Sequence, residues 1–157
     1  MPSFGGKSTT ALSGCHKDIQ SIMREVVKWR DISIIEGQRT AERQHYHWAK
    51  GRKLKSPGLD HKVRDNWTVD NDLEVVTTKD GYEKLSRHQG MPVSEAVDVV
   101  PYNEMWGSKR AFHELSGVIK STQARLFAEG KIKRVLDWGA DLWNGFDKPH
   151  WQLRPLT

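Results

Sequence analysis

The chain has 157 residues, 36% of them hydrophobic, with 7 Trp, 4 Phe and 3 Tyr: enough apolar material for one compact domain and too little for two. The single cysteine, Cys15, excludes a disulfide framework, no run approaches the roughly 18 apolar residues of a membrane span, and the polar start from Met1 to Lys17 lacks a signal-peptide core. Lys and Arg outnumber Asp and Glu by 25 to 20, a net charge of +5 that suits a polyanion such as nucleic acid, acidic lipid or a cell-wall polymer.

The first periodic segment runs from Asp18 to Trp29, where Ile19, Ile22, Met23, Val26 and Val27 line one face of an amphipathic helix. Ile32 to Ile35 reads as a short β-branched strand, broken by Gly37. Thr40 is placed to cap a helix over Ala41 to Lys50, ended by Gly51. The densest basic stretch, Lys50 to Arg64, holds Lys50, Arg52, Lys53, Lys55, Lys62 and Arg64 together with Pro57 and Gly58, so it reads as a solvated loop rather than a recognition helix. No aromatic RNA-binding strand, zinc finger or basic heptad region is present, and no nucleic-acid partner is expected.

From about 52 to 84 the chain is polar, an elaborated loop or small hairpin with strand-like pieces at Trp67-Thr68-Val69 and Leu73 to Thr77. Loops of that length in a compact domain are usually functional. Ala96 to Val100 is a strong strand ended by Pro101, with one acid, Asp98, among Val and Ala. The longest helix follows, Ser108 to about Glu129, closed by Gly130. Arg134 to Trp138 and Trp151 to Leu153 are two further strands across a Gly-, Asp- and Asn-rich turn. Helices and strands mix without βαβ alternation, which predicts an α+β class and a single domain over residues 1–157.

Seven histidines are spread along the chain, and two have informative neighbours. His88 precedes the strand that holds Asp98, an acid whose burial requires a donor, a cation or a metal. His150 opens the last strand, with Asp147 three residues upstream. Two imidazoles and one carboxylate make an open zinc site, and a further carboxylate can serve as proton acceptor. The structural alternative stays open on spacing alone: a histidine at a strand end is often a surface residue, and a strand acid is often satisfied by an arginine or by backbone donors.

Ser86-Arg87-His88, Ala96-Val97-Asp98-Val99-Val100-Pro101-Tyr102, Gly139-Ala140-Asp141-Leu142-Trp143 and Asp147-Lys148-Pro149-His150-Trp151-Gln152-Leu153 occur in that order. Upstream stand Gly37-Gln38-Arg39-Thr40 and Gln44. Together they resemble the M15 zinc peptidases: D-alanyl-D-alanine carboxypeptidases, vancomycin-resistance dipeptidases and phage L-alanyl-D-glutamate endolysins. The start, Phe4-Gly5-Gly6-Lys7-Ser8, resembles the endolysin branch, and the likeness spans nearly all of the chain outside about 52 to 84. It implies a small antiparallel sheet flanked by helices, of the Hedgehog and D,D-peptidase kind.

The same resemblance implies that His88, Asp98 and His150 bind zinc. It implies that Asp147 is the general base for zinc-bound water and the acid for the leaving amine, and that Arg39 steadies the carbonyl oxygen or a substrate carboxylate. Ser86 and Gln44 would support these groups, and Asp141 and Trp143 would shape the site. One departure stands out. Nine residues, Gln89 to Val97, separate His88 from Asp98 where the family has six, and Ser94 replaces a glycine, which weakens the inference about specificity.

The expectation is a phage endolysin that cuts the L-alanyl-D-glutamate bond of the peptidoglycan stem peptide. It would be a monomer without a separate wall-binding domain, held in the host cytoplasm without a signal peptide until a holin opens the way to the wall. The alternatives are a D-alanyl-D-alanine carboxypeptidase or dipeptidase with the same metal centre, and a non-catalytic wall-binding domain.

Overall fold

The computed structural model describes residues 1–55, 64–104 and 106–157. In chain order the elements are α1 (Gly6–Ser13), α2 (Lys17–Val26), β1 (Ile32–Glu36), α3 (Ala41–Ala49), β2 (Arg52–Leu54), β3 (Trp67–Val69), β4 (Ala96–Pro101), α4 (Lys109–Ala128), β5 (Leu136–Trp138), α5 (Gly139–Leu142) and β6 (His150–Leu153). Short 3-10 turns cover Arg64–Asn66 and Arg87–Gln89. The class is α+β, as the mixed pattern predicts, and the sheet is small and antiparallel, as the resemblance implies. Two compact units are present, one of Met1–Gln38 with Gly90–Thr157 and one of Arg39–Gln89.

The first unit carries a four-stranded sheet in the order β1-β4-β6-β5, with every pairing antiparallel. Its apolar core joins Ile19, Ile22, Met23 and Val26 of α2 and Leu115, Ile119 and Leu126 of α4 to Val97, Val99, Trp151 and Leu153 of the sheet. Each fully buried large aliphatic side chain contributes about 1.5–3 kcal/mol. His16 caps α2 by accepting the Asp18 amide at 3.2 Å. Asp18, although charged, is buried because its carboxylate accepts the Lys133 and Arg134 amides at 3.0 and 2.9 Å.

Helix α4 begins where Ser108 Oγ accepts the Ala111 amide at 3.1 Å. It ends in a Schellman motif: Gly130, at φ +68°, donates to the Phe127 carbonyl and Lys131 donates to that of Leu126. Burial pushes the Cys15 thiol up to about 12, helped by the charge of Asp98, so this cysteine is an inert core residue.

Helix α1 forms within the polar N-terminal stretch, where the sequence pattern signalled no element. Its Ser8 is buried and accepts the Ile34 amide at 3.1 Å, so a strand, rather than local propensity, secures it. Gly37 permits this approach, because a Cβ there would lie 2.1 Å from the Ala11 carbonyl oxygen.

The second unit is held by polar and aromatic contacts. Thr40 Oγ1 accepts the Arg43 amide at 3.1 Å and caps α3. Buried His45 meets the rings of Trp48, Trp67 and Tyr82 at 5.1, 5.6 and 5.6 Å, and its Nδ1 lies 3.0 Å from the Asp80 carbonyl oxygen. Asp80 Oδ1 accepts the amides of Tyr82, Glu83 and Lys84 at 2.9–3.0 Å. Burial pushes the Asp80 carboxyl up, but those amides and the Arg64 charge together hold it below the usual carboxylate range.

Within the stretch expected as an elaborated loop, β3 forms as predicted and pairs with β2, a strand that the run Arg-Lys-Leu did not signal. Leu73 to Thr77 is not a strand. Asp70 Oδ1 accepts the Asp72 amide at 3.2 Å and the Asp70 carbonyl accepts that of Leu73, so an Asx turn overrides β propensity. Pro57, Gly58 and Lys62, named in the basic stretch, lie outside the described residues.

Candidate metal centre

The site begins in the sheet. Asp98 in β4 is paired with His150 in β6 on one side and with Glu36 in β1 on the other. Directly paired residues project to the same face of a sheet, so the β4–β6 register sets the carboxylate of Asp98 beside the imidazole of His150. His150 Nδ1 lies 3.3 Å from Asp98 Oδ1, and its Nε2 lies 3.2 Å from Gln152 Oε1. Burial works to lower the His150 pKa, but the Asp98 hydrogen bond and charge, the Asp147 charge and the Gln152 hydrogen bond outweigh it and hold the imidazole above its ordinary value.

His88 stands one residue before the end of the second unit, in the Arg87–Gln89 turn, and is buried. Its backbone amide donates to Ser86 Oγ at 3.3 Å, so Ser86 supports the backbone of this turn. Among the described residues, His88, Asp98 and His150 form a group in which each offers one ligand atom, all within 4.8 Å of one another. The group could hold a metal ion. After His88, Met91 is 84% exposed, while Gln38 Nε2 donates to the Gly90 and Pro92 carbonyls at 3.3 and 3.4 Å.

The segment from Asp147 to His150 is held by backbone contacts. The Val99 amide donates to the Pro149 carbonyl at 2.9 Å, and Trp138 Nε1 donates to that of Lys148 at 2.6 Å. Asp147 has φ +55°, in the left-handed region that Asp tolerates better than most residues. Gly139 makes room for the segment: a Cβ there would lie 2.4 Å from the Asp147 carbonyl oxygen and 3.1 Å from His150 Cβ.

In the second unit the Arg39 guanidinium donates from Nη1 to Gln44 Oε1 at 2.6 Å, and Gln44 Nε2 donates to the Lys79 carbonyl at 2.7 Å. The Arg39 amide donates to the His88 carbonyl at 2.8 Å. Gln44 is fully buried, so it holds Arg39 from a fixed position. Of the two residues expected to shape the site, Trp143 sets its ring 5.3 Å from that of His150, whereas Asp141 is exposed and accepts Lys120 Nζ at 2.6 Å.

Reasoning from sequence missed Gln152, whose side chain meets His150 Nε2. Gln152 sits two residues past His150 on the same strand face, a period-2 signal that was available.

The chain matches no family model and no curated protein. Its fold is similar to that in the crystal structure of the L-Ala D-Glu endopeptidase ChiX from Serratia marcescens. The match has a TM-score of 0.59 and 21% sequence identity, and covers 96% of this chain and 89% of that one. The likeness shows a shared fold.

Proposed function

We propose that the chain is a zinc-dependent peptidase of peptidoglycan that hydrolyses the L-alanyl-D-glutamate bond of the stem peptide, working as a phage endolysin. The observation that carries this reading is the His88, Asp98 and His150 ligand set. The fold shared with a structure named as an L-Ala D-Glu endopeptidase supports the choice of bond.

The donor set fits zinc. Two imidazole nitrogens and one carboxylate oxygen match its preferences and leave a fourth position open. Tetrahedral zinc with bonds near 2.0–2.1 Å needs ligand atoms roughly 3.4 Å apart. The Asp98–His150 pair already stands at 3.3 Å.

Zinc held there supplies Lewis acidity, which polarises a carbonyl and acidifies water. Asp98 and His150 are preset by the β4–β6 register, and Gln152 fixes the orientation of the His150 ring from the far nitrogen. Asp147, whose charge reaches His150, accepts the proton from water and returns it to the departing amine nitrogen. Arg39, anchored by Gln44, binds the carbonyl oxygen or a carboxylate of the stem peptide. Trp143 offers an aromatic wall beside His150.

No described helix is long and apolar enough to cross a membrane. In the proposed setting a monomer accumulates in the host cytoplasm until a holin gives it access to the wall, and its net positive charge draws it toward anionic wall polymers.

The test is a digest of purified peptidoglycan with and without a chelator, read by mass spectrometry. New N-terminal D-glutamate ends that vanish on chelation and return with zinc are the expected result. Released D-alanine would replace the reading with a D,D-carboxypeptidase, and the absence of any chelator-sensitive product would overturn it.

A further inference from the structure

The unit Arg39–Gln89 contains a second feature built from residues that the metal centre does not use. A cavity of about 520 Å³ is lined by Trp48, Trp67, Arg52, Lys55, Arg64 and Lys84. Among the described residues, the wall sets one acid, Asp65, against those four cations. The volume falls within the usual range for small-molecule sites, roughly 300–1,000 Å³, and exceeds what a single bare ion would need.

Arg52 and Arg64 are held by contacts that leave the group with an excess of positive charge. The Arg52 guanidinium lies over the Trp48 ring, 4.4 Å from its centroid, and donates to the Trp48 carbonyl. Burial, and then the charge of Arg64, depress the Arg52 pKa, so the two guanidinium groups repel one another in the free protein. Arg64 reaches Asp80 and Glu83 only at 3.9 and 3.8 Å, the outer edge of ion-pair range. Lys55 and Lys84 make no ion pair among the described residues. An anion placed among these groups would relieve their repulsion and accept from the Arg52 guanidinium, which Trp48 already orients. The adjacent Trp67 ring supplies an apolar wall for whatever carries that anion.

We propose that this cavity is an oxyanion-binding site that takes the carboxylate or phosphate group of a larger ligand through Arg52, Arg64 and Lys84. The site binds without performing chemistry, and it stands whether or not the chain is a peptidase.

The test follows the indole N–H resonances of Trp48 and Trp67 in the full chain by NMR. One titration uses inorganic phosphate and the other N-acetyl-D-glutamate, which offers two carboxylates and no scissile alanyl bond. Saturable shifts at both indoles are expected, weakening as salt rises. Lys84→Gln should weaken binding roughly threefold to tenfold, and Asp65→Asn should tighten it by a similar factor. Tighter binding of phosphate would assign a phosphate-bearing ligand, and tighter binding of N-acetyl-D-glutamate a carboxylate such as that of a stem peptide. Arg64→Gln provides a second variant, with the remainder of the spectrum reporting its folding. The proposal is overturned if neither probe gives saturable shifts in the millimolar range, or if the shifts are indifferent to all three substitutions.

Discussion

Gly139→Ala puts a single methyl group against the backbone that carries both the proposed base, Asp147, and the proposed ligand His150. The new Cβ would stand 2.4 Å from the Asp147 carbonyl oxygen, about 1 Å short of the 3.4 Å at which ordinary contact begins. A carbonyl oxygen cannot rotate aside as a side-chain tip can, and the Pro149 and Lys148 carbonyls are pinned by Val99 and Trp138. Relief therefore requires the 147–150 segment to move. Overpacking of this kind costs about 1–3 kcal/mol, which for a chain of this size lowers Tm by roughly 3–10 °C. A shift near 1 Å at the base and at His150 should also lower turnover on the order of a hundredfold. Thermal unfolding, zinc affinity by competition with a chromophoric chelator, and stem-peptide hydrolysis would each register it. The paired control is Gly117→Ala in α4, where nothing lies within 4 Å of the new methyl and about 0.5–1 kcal/mol of added stability is expected. A Gly139→Ala protein with unchanged Tm, zinc affinity and turnover would refute the reasoning.

Three other outcomes are expected. Gln152→Leu removes the acceptor at His150 Nε2 and should weaken zinc binding about 10–100-fold in the same competition assay, with little change in Tm. Asp147→Ala should retain zinc while turnover falls by on the order of a hundredfold or more; loss of the metal instead would move Asp147 from base to ligand. Asp80 has a depressed folded-state pKa, so its contribution to stability is complete above the unfolded value near 3.8 and fades as pH drops through the lower folded value. Urea unfolding between pH 2 and 7 should show that acid sensitivity reduced in Asp80→Asn.

Where local chemistry decides the structure, the sequence was legible. Helix α4 announces both ends, through Ser108 at its cap and Gly130 after it, and β4 is marked by a dense run of β-branched residues. The grouping of His88, Asp98 and His150 was legible through ordered motifs, since no single histidine distinguishes itself from a surface residue. What escaped depends on distant partners. Helix α1 has weak intrinsic propensity and is fixed by the Ser8–Ile34 contact. Strand β2 is Arg-Lys-Leu, readable as loop until β3 is beside it. Leu73 to Thr77 has strand-like composition, yet one carboxylate, Asp70, turns the chain first. Asp18 and Asp80 are acids whose burial becomes intelligible only when the amides they accept are known.

The facing of Asp98 and His150 has a consequence for how the molecule comes together. The two residues are 52 positions apart, and all of α4 lies between them. Closing a loop of that length costs conformational entropy before any contact rewards it. Their alignment also admits no slippage, because moving β6 by one residue would turn His150 to the opposite face and bring Trp151 in its place. A cation gripped by this pair would then behave as a reversible staple and as a proofreader of strand alignment. It would be strongest only in the correctly threaded chain, and its withdrawal by a chelator would act on the fold as a mild denaturant.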